Sequence, residues 1–113
     1  MGLAVLLKHL GHAVQVANLA QEAMQKGERL RPAVVFLDIG LPDQNGYDVC
    51  KEMRGTPWGA KAFIVAVTGR SEAADLLRAA NTGFDRHVVK PMALGTLREI
   101  LRIVQDRETG THP

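Results

Sequence analysis

Apolar residues fall into short runs of two kinds, and the kind changes along the chain. Ala13–Ala17 (AVQVA) alternates with period two, as a short strand does. Ala33-Val34-Val35-Phe36-Leu37 and Ala62–Val67 (AFIVAV) are unbroken, the pattern of strands buried on both faces. His87-Val88-Val89 is a brief further strand that closes on Lys90-Pro91. Between these runs the apolar spacing widens to three and four. Leu3, Leu6, Leu7, Leu10 and Val14 keep helical spacing with Gly11 as a stop, so the chain is expected to open in a helix. Asn18, with Gln21 three residues on, predicts the capped start of a helix that carries Ala20, Ala23 and Met24 on one face and ends near Gly27. Val49, Cys50 and Met53 mark a short helix. Ser71 opens another with Ala73, Leu76, Leu77 and Ala80, which stops at Gly83; Leu97, Ile100, Leu101 and Val104 mark the last.

The expected order is α-β-α-β-α-β-α-β-α, which calls for parallel strands joined by right-handed crossovers. The fold class is therefore α/β, a three-layer doubly wound parallel sheet. A ligand site in such a sheet lies outside the carboxyl ends of the strands.

Composition narrows the classes. At 113 residues the chain suits one domain, and with 46% apolar residues and 4% aromatics its core must be mostly aliphatic. The apolar runs are far shorter than the roughly 20 residues of a membrane span, so no membrane partner is expected. No leader-like start is read at Met1-Gly2-Leu3. A single cysteine, Cys50, forbids an internal disulfide and fits a reducing, cytoplasmic setting. Basic residues are dispersed at a net charge of +2, so no nucleic-acid partner is expected.

Three polar residues stand where the sheet rule places chemistry. Asp38 ends the first unbroken strand, Thr68 the second, and Lys90 the last. A carboxylate nucleophile, a hydroxyl donor and a cation for transferred oxygens form a set suited to phosphoryl transfer. Each alone reads as a loop-capping Asp, a satisfied Thr or a solvated Lys; together at successive strand ends they favour a site. Gly69, after Thr68, leaves room for a phosphoryl group.

The segments VVFLDIGLPDQNGYDV, IVAVTGR and GFDRHVVKP, with LLKHLGHAVQVA near the start, resemble the receiver domain of two-component response regulators. The wording is closest to receivers of hybrid sensor histidine kinases. The resemblance implies a flavodoxin-like fold, phosphorylation on Asp38, a switch hydroxyl at Thr68, a phosphoryl contact from Lys90 and a cis Lys90-Pro91 bond. It places His87 at the family's aromatic switch position, and it implies a histidine kinase or phosphotransfer protein as partner.

The chain also departs from that family. Receivers begin with a hydrophobic strand ending in two acidic residues that help bind Mg²⁺, whereas no Asp or Glu precedes Glu22 here. Of the implied ligands for Mg²⁺ or another divalent metal, Asp38 and the Gly40 carbonyl remain, so Mg²⁺-dependent phosphorylation is expected to be impaired. The expected fold lacks its first strand, which is central in the order 2-1-3-4-5. By strand and turn lengths the resemblance implies that roughly 15 to 20 residues would be expected ahead of this start. A homodimer filling that gap is expected, because open strand edges invite pairing with another chain. The expected division is a truncated receiver-like domain over 1–107 and a flexible tail over 108–113.

Other residues are weighed against plainer roles. His9 and His12 share a helical spacing that suits two metal ligands, although two surface histidines are the commoner outcome. Cys50 reads as core, Trp58 as a surface cover and Tyr47 as packing at the start of the short helix. Two functions follow: a receiver-like signalling module using Asp38, or a metal-dependent hydrolase of phosphate esters built on a dimerised fragment.

Overall fold

The computed structural model describes residues 4–8, 13–39, 45–69, 81–90 and 93–109. Each apolar run from residue 13 onward becomes a strand. They are β2 (Ala13–Ala17), β3 (Val34–Asp38), β4 (Phe63–Thr68) and β5 (Arg86–Val89). Helices α1 (Ala20–Leu30), α2 (Gly46–Arg54), α3 (Pro57–Lys61) and α4 (Leu94–Thr109) lie between and after them. The helix expected from Ser71 falls mostly outside the described residues.

Ala4–Lys8 is a fifth strand, β1, and it corrects the expected opening helix. The sheet order is β2-β1-β3-β4-β5, so β1 occupies the central position that was expected to be vacant. It runs antiparallel to both neighbours, with Ala4 facing Ala17 and Leu37, whereas β3, β4 and β5 are mutually parallel. Two physical reasons explain the change. Left without a partner, β2 and β3 would each present a row of unpaired backbone groups, and pairing both outweighs the helical preference of a five-residue segment. The four residues between Lys8 and Ala13 are also too few for a parallel crossover of a dozen or more, so the pair closes as a hairpin. The sheet is thus completed within one chain, without the second copy that the gap appeared to require.

Successive residues of β3 supply two cores. Val35 and Leu37 pack with Ala20 and Ala23 of α1 and Val49, Cys50 and Met53 of α2. Val34 and Phe36 pack on the opposite face with Ile100 and Val104 of α4. Tyr47 is buried at the start of α2 and meets Phe84 edge-on, as expected of a packing residue.

Trp58 is not a surface cover. Thr56 caps α3 by accepting from the Gly59 N–H at 2.9 Å, with Pro57 at the first turn, and this turn drives the indole inward to 5% exposure. It lies flat against Gly27, where any Cβ would overlap the ring. Gly27 is therefore a packing glycine inside α1 and not its stop. The helix runs on to Leu30 and ends on Arg31 in the left-handed region, φ 49°, whose N–H donates to the Gly27 carbonyl at 2.8 Å. At the other end Leu19, not Asn18, is the N-cap. The Asn18 N–H instead donates to Glu22 Oε1 at 2.9 Å, which holds the Glu22 carboxyl below its ordinary range.

One side chain ties the lower edge together. Arg54, at the end of α2, donates to the carbonyls of Gly59 (2.9 Å), Ala62 (2.7 Å) and Gly83 (2.6 Å) and to Asp85 Oδ2 (2.7 Å). Asp85 Oδ2 also accepts from the Ile64 N–H at 2.8 Å. The guanidinium thus fixes the entries to β4 and β5 at once. Arg54→Met should lower unfolding free energy by about 2–3 kcal/mol in urea titration, because three carbonyls and a carboxylate lose a donor together. Gly27→Ala should cost at least about 1–3 kcal/mol through overpacking on Trp58, read by the same titration.

Candidate functional site

The parallel register brings the three expected residues to one edge. Asp38 faces Val67 across β3 and β4, and Thr68 faces Val89 across β4 and β5. Two backbone bonds extend the alignment past the strand ends. The Ile39 N–H donates to the Val67 carbonyl at 3.1 Å, and the Lys90 N–H to the Thr68 carbonyl at 2.7 Å. The start of α2 is tied to the end of β3, the Gly46 N–H donating to the Ile39 carbonyl at 2.8 Å. Asn45 caps α2 through the Asp48 N–H at 3.0 Å. The first residue of α2 lies against Asp38 and Ile39, and a Cβ at Gly46 would meet both backbones.

Asp38 is the one buried charged residue among those described, at 5% exposure. Its Oδ2 accepts from Lys90 Nζ, which closes an ion pair between the ends of β3 and β5. The lysine side chain is 45% exposed while the carboxylate side chain is 7% exposed, so the pair has one wet and one dry member. Thr68 is half-buried at the same edge, and a Cβ built on Gly69 meets none of the described residues within 4 Å. The strand register thus brings Asp38, Thr68 and Lys90 to one edge of the sheet, with Asp38 and Lys90 in direct contact. His87 lies on β5 opposite Ala66, half-buried, with Nε2 buried and lacking a hydrogen-bond partner among the described residues. Gly40, His9 and His12 lie outside the described residues.

Residues 1–102 match the response regulator receiver domain. The chain belongs to that family. Over 101 residues it is 32% identical to the KDP operon transcriptional regulatory protein KdpE of Escherichia coli, covering 89% of this chain and 44% of that protein. It is 30% identical over 111 residues to CreB of the same organism, covering 95% and 48%. The chain thus spans less than half the length of these two relatives. A two-component response regulator from Clostridium difficile superposes with a TM-score of 0.72 at 29% identity, over 80% of this chain and 72% of that one. The receiver domain of a sensor histidine kinase from Pseudomonas aeruginosa gives 0.70 at 26% identity, over 79% and 74%, and was solved with magnesium coordinated in its active site cleft. The receiver fold expected from the sequence is the fold found.

The receiver family's magnesium does not fit the described donors of this chain. At the edge beside Asp38 the central strand presents Ala4, because β1 runs in reverse. Asp38 is the sole carboxylate there among the described residues, already engaged by Lys90, and no group of three His, Cys, Asp or Glu among them converges. Mg²⁺ takes a near-octahedral oxygen shell, and one occupied carboxylate is a thin start for it.

Two further groups were not legible as parts of the framework. The Arg54–Asp85 bond joins residues 31 apart, and Arg86 pairs with Glu99 of α4 at 2.5 Å; neither follows a periodic pattern. Cys50 is buried, and burial pushes its thiol up to about 11, so it supplies no thiolate at neutral pH. Among the described residues no helix is long and apolar enough to cross a membrane.

The ion pair is testable by a double-mutant cycle. Lys90→Met should cost about 1 kcal/mol more in the native background than beside Asp38→Asn, because only the native background leaves a buried carboxylate unpaired. The half-exposed lysine keeps this below the several kcal/mol of a fully buried pair. Equal costs in urea unfolding would mean that the two groups are uncoupled.

Proposed function

We propose that this chain is a receiver-type phosphoacceptor module in which Asp38 takes the phosphoryl group with little help from Mg²⁺. The observation that carries the reading is the Asp38–Lys90 ion pair at the carboxyl edge of the sheet. A carboxylate oxygen of Asp38 attacks phosphorus, an acyl–phosphate bond forms, and the bond from phosphorus to the donor's leaving atom, an imidazole nitrogen of a phosphohistidine or the carboxylate oxygen of acetyl phosphate, breaks with its electron pair going to that atom. Lys90 releases the carboxylate and turns to the phosphoryl oxygens, so charge compensation by the ammonium persists throughout. The Thr68 hydroxyl is at hand to donate to the same oxygens, which links the state of Asp38 to β4. His87, one strand over, is the residue through which that change reaches β5. The donor in the cell is a histidine kinase or phosphotransfer protein, and β1 makes a second copy unnecessary to complete the sheet.

Acetyl phosphate supplies the test. Intact-mass analysis should show one added phosphoryl group, labile to hydroxylamine and absent from Asp38→Asn. Added Mg²⁺ should change the rate by less than about tenfold, a difference of about 1.4 kcal/mol in barrier. A label that persists in Asp38→Asn would remove the phosphoacceptor assignment. A steep Mg²⁺ dependence would mean that further ligands complete a metal site. The hydrolase alternative gains no specific support from the described residues; metal-dependent turnover of aryl phosphates that survives Asp38→Ala would establish it instead.

A further inference from the structure

Asn45-Gly46 is the chain's sole Asn-Gly pair, and no Asp-Gly pair occurs; the other asparagines, Asn18 and Asn81, precede Leu19 and Thr82. Such a pair carries a reaction of its own. The Gly46 nitrogen, once its proton has gone to base, attacks the Asn45 side-chain carbon Cγ. The bond from Cγ to the amide nitrogen then breaks, ammonia leaves with a proton taken from water, and a five-membered succinimide remains. Water opens either carbonyl of that ring, which leaves aspartate or its isoaspartyl isomer at position 45. Glycine favours the closure because it has no side chain to obstruct the approach of its nitrogen.

Asn45 is exposed, so base and water reach it. The fold nevertheless pins each group that the ring needs. The Gly46 N–H, whose proton must be lost, donates to the Ile39 carbonyl at 2.8 Å. The carbonyl of the same peptide group, that of Asn45, accepts from the Val49 N–H at 3.2 Å. The Asn45 side chain is turned to the helix, where its Oδ1 accepts from the Asp48 N–H at 3.0 Å as the cap. Gly46 itself is buried, and a Cβ there would come within 2.6 Å of the Ile39 backbone. Ring closure therefore requires the first turn of α2 to leave the end of β3.

We infer that Asn45-Gly46 is a latent deamidation site, closed in the folded chain and opened when the start of α2 separates from Ile39. Its two products differ in consequence. Aspartate at position 45 keeps a capping oxygen and adds a negative charge at the N-terminus of α2, both favourable to the helix. The isoaspartyl form routes the backbone through the side-chain carbon and loses the cap. Modification thus accumulates on chains that have opened at this point, whether or not Asp38 takes a phosphoryl group.

The test follows each asparagine by peptide mapping, through the mass gain of an amide-to-acid change. The chain is held in mildly alkaline buffer, either folded or unfolded in guanidinium chloride. In denaturant Asn45 should react ahead of Asn18 and Asn81. In the folded chain its rate should fall by at least about tenfold. Hydrogen exchange at the Gly46 amide should be slowed by at least about tenfold too, because the same opening frees that N–H. The inference is overturned if another asparagine reacts first in denaturant, or if folding slows Asn45 by less than that factor. It is equally overturned if Asn45 is slowed while the Gly46 amide exchanges as in the unfolded chain, since the bond to Ile39 would then not be the restraint.

Discussion

The four residues between Lys8 and Ala13 constrain the whole arrangement. So short a connection admits only an antiparallel neighbour, so Ala4–Lys8 must run against β2. Lodged between β2 and β3, it satisfies the backbone groups of both and runs against β3 as well. Direction then decides chemistry. A central strand parallel to β3 would deliver its last residues to the edge where Asp38 stands. A reversed one delivers its first, and Ala4 carries no ligand. One short connection therefore both completes the sheet and leaves Asp38 facing a strand end with no carboxylate.

The two ends of the sheet are held by different means. At the lower edge Arg54 gathers carbonyls from three segments with Asp85, which pins the entries to β4 and β5 by many bonds at once. At the upper edge the Asp38–Lys90 ion pair, half open to water, joins the ends of β3 and β5, beside the backbone bonds from Ile39 to Val67 and from Lys90 to Thr68.

Much of this was legible in the sequence, and the exceptions have physical causes. Val34–Leu37 and Ile64–Val67 read as buried strands because both faces are covered, and Asp38, Thr68 and Lys90 followed from where those runs stop. Ala4–Lys8 was misread because a short apolar run satisfies helical and strand spacing alike; its pairing is decided by residues far along the chain. Gly27 looked like a helix stop, and only the buried indole of Trp58 reveals it as a packing residue. Trp58 itself sits in a five-residue helix too short to show periodicity. Arg54 and Asp85 carry no local signal, because their partnership exists only once α2 lies beside the start of β5.

Proton NMR of the isotope-labelled chain tests the reversed strand most directly. The account predicts strong Hα–Hα contacts between alternate facing residues of β1 and β3, among the pairs Val5–Phe36, Leu6–Val35 and Leu7–Val34, with slowly exchanging amides along β1. Sequential helical contacts through residues 4–8, or fast-exchanging amides along the β1 side of β3, would contradict it.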